Sequence, residues 1–114
     1  MTTSRTVLLH VSDSHHDIAR ALGIARALGI AGILHEARPG TRIRVIVNGP
    51  AVPGLTIDAA PLTVTDAATV EACEGGMRGH GITADQLQPG VITVPSAAVA
   101  LSDAQFEGAA YIRV

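Results

Sequence analysis

Rings and lysine are what this chain has least of. Among its 114 residues there is no tryptophan, one phenylalanine, one tyrosine and no lysine. A core without rings must be built from Val, Ile, Leu and Ala, and stacking of bases on aromatic platforms is excluded as a mode of binding. Charge is scarce as well. Charged residues make up 16%, against roughly 25% in an average soluble domain. The net charge is −2 with no basic block, so nothing is present to neutralise a phosphate backbone and no nucleic-acid partner is expected. The single cysteine, Cys73, excludes an intramolecular disulfide and CxxC redox chemistry; it fits a reducing, cytoplasmic setting. No apolar run approaches the ~20 residues needed to cross a bilayer. The apolar run near the N-terminus is too short for a signal peptide and is soon broken by Asp13, His15 and His16. No GxGxxG or GKS loop and no nucleophile-elbow pattern occurs, which argues against a nucleotide cofactor and against triad hydrolysis. His15 and His16 are adjacent rather than four apart, so they do not form a helix-borne metal pair. Neither a metal nor a cofactor is expected.

What is present is aliphatic. Hydrophobic residues make up 47%, and the length fits one domain spanning residues 1–114. So apolar a chain with so few charges has little to cover its surface with, and it is expected to hide part of that surface in a homo-oligomer.

Along the chain, Thr6–Val11 (TVLLHV) reads as a buried parallel strand, with His10 as a packed strand residue. Residues 12–17 (SDSHHD) form the loop after it and hold three good helix N-cap types, Asp13, Ser14 and Asp17. Residues 18–37 form a long helix stopped by Pro39–Gly40. Its polar residues, Arg20, Arg26, His35 and Glu36, define no single wet face. It is therefore expected to be covered on more than one side, by the sheet and by a second subunit. Three glycines, Gly23, Gly29 and Gly32, lower its propensity by about 1 kcal/mol each relative to Ala. A second strand follows over residues 41–47, where Ile43, Val45 and Val47 alternate with Arg42, Arg44 and Ile46. Asn48–Gly49–Pro50 breaks it.

Residues 51–65 are rich in proline and glycine and predict an irregular segment, with a helical turn near 52–55 and a short extended piece at 62–65. Residues 66–72 admit two readings. Asp66 can cap a helix through 67–71, or Thr69–Cys73 can be a third parallel strand, and local propensity slightly favours the helix. One or two helical turns follow in 74–81, then a short turn in 82–90 ended by Pro89–Gly90. Val91–Val94 is a strand, Ser96 caps a helix over 97–107, and residues 109–114 form a last strand at an edge.

Cys73 sits where a strand would give way to a glycine-bordered turn and a helix, which is where open α/β sheets build their sites. A helix N-terminus there would favour a thiolate. The neighbouring carboxylates of Glu71 and Glu74 would oppose it, with Arg78 and His80 able to offset them.

The landmarks Ala72–Cys73, Met77, Gly81–Ile82, Asp85 with Leu87, Pro89–Gly90, Val94–Pro95–Ser96, Gln105 with Gly108, and Tyr111 occur in an order that resembles the DsrE/DsrF-like family. The opening strand, the long helix and the Val47–Asn48–Gly49 strand exit match more loosely. The chain departs from the family in Glu74–Gly75–Gly76 after the cysteine, in Ala97, and in a long helix without asparagine. The resemblance implies a YchN-like α/β fold in three layers, with a mostly parallel five-stranded sheet and helices on both faces. It decides residues 69–73 in favour of a strand. It also implies a homotrimer or homohexamer, and a persulfide sulfur carrier or sulfurtransferase-related protein acting through Cys73 with a sulfur-relay partner protein. The alternative is a non-catalytic oligomeric module that binds a small ligand or a protein, with Cys73 as packing. In either case the strand exits are expected to gather Asp13, His15, Asn48, Gly49 and Ser96 near Cys73.

Overall fold

The computed structural model describes residues 5–13 and 17–114. His15, one of the expected cleft residues, lies outside them. Five strands form one all-parallel sheet in the order β4-β3-β2-β1-β5. They are β1 (Thr6–Val11), β2 (Arg42–Val47), β3 (Thr69–Cys73), β4 (Val91–Val94) and β5 (Ala110–Arg113). Residues 69–73 are thus a strand, as the resemblance had it and local propensity did not. Among the described residues the α-helices are α1 (Asp17–Ala37), α2 (Glu74–Gly79) and α3 (Ala97–Phe106). The last strand is at the edge, paired only with β1.

The strand period of two divides the core. Leu9, Val11, Ile43, Val45, Val47, Val70 and Ala72 point to one side. There Ile24, Ala27 and Ala31 of α1, spaced to lie on one helix face, close over them together with Met77 of α2. Between β2 and β3 a 3₁₀ segment, Gly49–Leu55, fills this layer with Ala51, Val52 and Leu55, all fully buried. Prolines at 50 and 53 prevent a longer α-helix there. On the other side, Leu8, Ile46 and Cys73 pack under Ala97, Leu101 and Ala104 of α3.

The irregular stretch after Leu55 is held by one buried side chain. Gln88 donates through Nε2 to the carbonyls of Thr56 (2.9 Å) and Ala60 (3.0 Å), and its Oε1 accepts from the amide of Leu62 (2.9 Å). This satisfies backbone groups that no sheet ladder serves. Residues 62–65 join no strand. Two hollows flank α1. One, of about 400 Å³, is lined by Leu28, Gly29, Gly32, Leu62 and Ala68. The other, of about 470 Å³, lies by Arg20, Ala21, Gly54 and Asp58. Neither includes Cys73.

Candidate site at the strand exits

The carboxyl ends of β3, β2, β1 and β5 carry a row of polar groups on the α3 side. Ala72 pairs with Val47 in the sheet register, so Cys73 and Asn48 stand level at neighbouring strand exits. His10 lies one strand further, opposite Ile46 on one side and Arg113 on the other.

Cys73 is 9% exposed. It ends β3, serves as the N-cap residue of α2, and lies at the start of α3. Its Sγ accepts from the Ala97 amide at 3.4 Å. That amide is the first of α3, one of the donors a helix start leaves without an intrahelical partner. Ser96 does what the sequence assigned to it as a cap: its hydroxyl accepts from the Val99 amide at 3.4 Å. The two glycines after Glu74 have different reasons. A side chain at Gly76 would meet Val52 Cγ2 at 3.0 Å and the Gly49 backbone nitrogen at 3.1 Å, so α2 lies directly on the β2 exit loop. A side chain at Gly75 would stand 3.6 Å from Cys73 Sγ and 3.8 Å from Arg78 Nη2. The thiol and the guanidinium therefore border one common space.

The carboxylates expected to crowd the thiol are engaged elsewhere. Glu71 takes both Arg44 Nε (2.8 Å) and Nη2 (2.6 Å) and the Thr69 hydroxyl (2.8 Å). Burial on its own would raise the Glu71 carboxyl. The hydrogen bonds from Arg44 and Thr69, with the charges of Arg44 and Arg42, outweigh burial and hold it below the usual carboxylate range. The hydrogen bond to Glu71 pushes Arg44 up against the opposing effect of desolvation, with the charges of Glu71 and Glu107 adding to the rise. Glu74 accepts from the Thr93 hydroxyl at 3.0 Å. His80 turns back to donate to the Gly49 carbonyl at 3.2 Å. Gly49 itself sits at φ +56°, which glycine adopts without strain.

Asn48 and Asp13 each find a partner that the sequence did not suggest. Asn48 Oδ1 meets His10 Nε2 at 2.8 Å, and His10 Nδ1 meets the Tyr111 hydroxyl at 2.6 Å. His10 is therefore part of a polar chain rather than mere packing. Asp13 pairs with Arg113 of β5, both well exposed. Asn48, Gly49, Cys73 and Ser96 do come to the same sheet edge, whereas Asp13 faces the β5 side. Among the described residues no three His, Cys, Asp or Glu side chains are grouped to hold a metal ion. None of the described helices is long and apolar enough to cross a membrane.

No protein-family model matches the chain, and no curated protein does. Solved structures do. One is a protein of unknown function, MTH1491 from Methanobacterium thermoautotrophicum. It is 24% identical over 97% of this chain and 99% of that one, with a TM-score of 0.72. Another is the YchN protein of E. coli, 12% identical over 99% of this chain and all of its own, with a TM-score of 0.65. The chain has the YchN-like fold.

Proposed function

We propose that this protein is a persulfide carrier or sulfurtransferase-related protein working through Cys73. The observation that supports this reading is the setting of Sγ. A first-turn amide of α3 donates to it, and both Sγ and the Arg78 guanidinium lie within 4 Å of where a side chain at Gly75 would stand. A persulfide formed on Cys73 would place its outer, anionic sulfur where a fixed N–H and a cation can share the charge. In the transfer, the Cys73 sulfur bonds to the outer sulfur of a donor persulfide. The donor's S–S bond breaks, and its thiolate leaves with the proton that Cys73 gives up. No oxidant is required. The donor is a partner protein or small molecule that presents a persulfide.

A second reading has its own support. Cys73 is almost enclosed by Ala97 and Leu101, as an inert packing residue would be. The outward side of α1 meanwhile exposes Leu22 (65%) and Ile33 (67%). Gly29 and Gly32 on this helix have nothing within 4 Å of where a side chain would stand. In this reading the protein is an oligomeric binding module, a trimer or hexamer whose subunits meet through α1.

Intact-mass analysis without reductant separates the two. After incubation with a small-molecule persulfide donor, the carrier reading expects one added sulfur on the wild type and none on Cys73→Ser. An unmodified thiol that also resists a small alkylating agent in the folded state would overturn the carrier reading and leave the binding module.

A further inference from the structure

The hollow of about 400 Å³ beside α1 lies outside the Cys73 chemistry. One wall is α1, through Leu28, Gly29 and Gly32. The other is the irregular segment before β3, through Leu62, Thr63 and Ala68. Its size falls in the range of small-molecule sites, about 300–1,000 Å³. Leu28, Leu62 and Ala68 also pack on the main core, which gives the hollow an apolar floor. None of its lining residues carries a charge, so a carboxylate, a phosphate or a cation would find no counter-charge there.

Glycine keeps the hollow open. Gly29 and Gly32 have nothing within 4 Å of where a side chain would stand, and neither has a positive φ. No turn requires them, and alanine would favour the helix without a clash. What they supply on this wall is empty volume. The opposite wall supplies polarity from its backbone. Exposure alternates along residues 61–65: Leu62 and Val64 are half-buried, whereas Pro61, Thr63 and Thr65 are exposed. That is the period of an extended chain, whose successive residues turn their N–H and C=O to opposite sides. The Leu62 amide turns to Gln88 Oε1 at 2.9 Å, so the amide and carbonyl of Thr63 turn the other way. Among the described residues neither of these two groups makes a hydrogen bond. Thr63 thus offers a donor and an acceptor side by side at an apolar hollow, on a segment that Gln88 holds at Ala60 and Leu62.

We propose that this hollow binds a small neutral molecule with an apolar body and an amide-like edge. The edge, an N–H beside a C=O, pairs with the backbone of Thr63. The body rests on Leu28, Gly29 and Gly32. Charged molecules are rejected because nothing in the lining offsets their desolvation. The site stands whether or not Cys73 carries sulfur. A second copy seated over the same two glycines is the competing occupant.

The probe is ε-caprolactam, whose ring holds its N–H and C=O on one side. Titrated into the full chain at millimolar concentration, it should give saturable NMR shifts at the amides of Gly29, Thr63 and Ala68. N-Methylcaprolactam lacks the donor and should bind about tenfold more weakly. The ring-opened zwitterion, aminohexanoic acid, should leave the resonances in place. Equal binding of the two lactams overturns the amide edge, and binding of the zwitterion overturns the selection for neutral molecules. The double variant Gly29→Ala/Gly32→Ala fills the space while favouring the helix. It should keep the wild-type circular dichroism and lose the lactam shifts at Thr63 and Ala68. Undiminished shifts in that variant place the lactam elsewhere and overturn the site. If the wild type shows no saturable shift and the double variant sediments as a smaller assembly, the hollow belongs to a second copy and the proposal fails.

Discussion

Under α1, the central strands contribute Leu9, Val11, Val45, Val47, Val70 and Ala72, all of them apolar. Under α3, the same strands contribute His10, Arg44, Glu71 and Cys73 beside Leu8 and Ile46. The difference begins with what covers each side. The first face has a helix of 21 residues, a 3₁₀ segment and α2. The second has one helix of 10 residues. A face with thin cover must satisfy its polar groups internally. The dry face supplies the packing, and the polar face carries the groups capable of chemistry.

That contrast can be broken most sharply at Arg44. Its side chain is 18% exposed and its partner Glu71 only 4%. Arg44→Met strands a buried carboxylate and should cost about 3 kcal/mol, read by urea denaturation at neutral pH. The double variant Arg44→Met/Glu71→Leu should recover most of it. Because the Glu71 carboxyl is lowered on folding, the wild-type pair contributes fully above the ordinary value of 4.5. Its contribution is lost as pH falls through the lowered value. An acid titration of stability should therefore be flatter in the double variant.

A second, smaller effect belongs to the boundary between the two faces. Gly76→Ala pushes a methyl against Val52 Cγ2 and the Gly49 backbone. It should destabilise by about 1–3 kcal/mol, measured as a lower urea midpoint. Gly75→Ala would meet Cys73 Sγ at 3.6 Å and Arg78 Nη2 at 3.8 Å, ordinary contact distances, and serves as the control. The smallest expected change has the opposite sign. Gly29→Ala meets nothing within 4 Å, so the isolated subunit should gain about 0.5–1 kcal/mol. If α1 packs against another copy, the same variant should instead weaken assembly in sedimentation at matched concentration.

The dry face was legible from the chain alone. Alternating Ile43, Val45 and Val47 and the long aliphatic helix each announce their element through local spacing. Residues 69–73 were not legible that way. Thr69–Val70–Glu71–Ala72–Cys73 suits a strand only because β2 and β4 flank it on both sides, which local propensity cannot register. The polar face was hidden for the same reason. Arg44 and Glu71 are 27 positions apart, His10 and Asn48 38, and His10 and Tyr111 101. Parallel pairing brings these residues together without leaving a short spacing to read. Ser96 was legible because a cap is a local device. The Ala97 amide on Cys73 was not, because any residue type but proline can supply an amide.

The strand order has a further consequence for how this molecule reports on itself. Since β5 pairs with β1, the first and last strands meet only when the chain has closed on itself. The His10–Tyr111 contact exists only in that closed form. With no tryptophan, the chain's near-ultraviolet emission comes chiefly from this one tyrosine. Its fluorescence therefore follows chain closure directly, and a refolding experiment can time the docking of β5 without an added label.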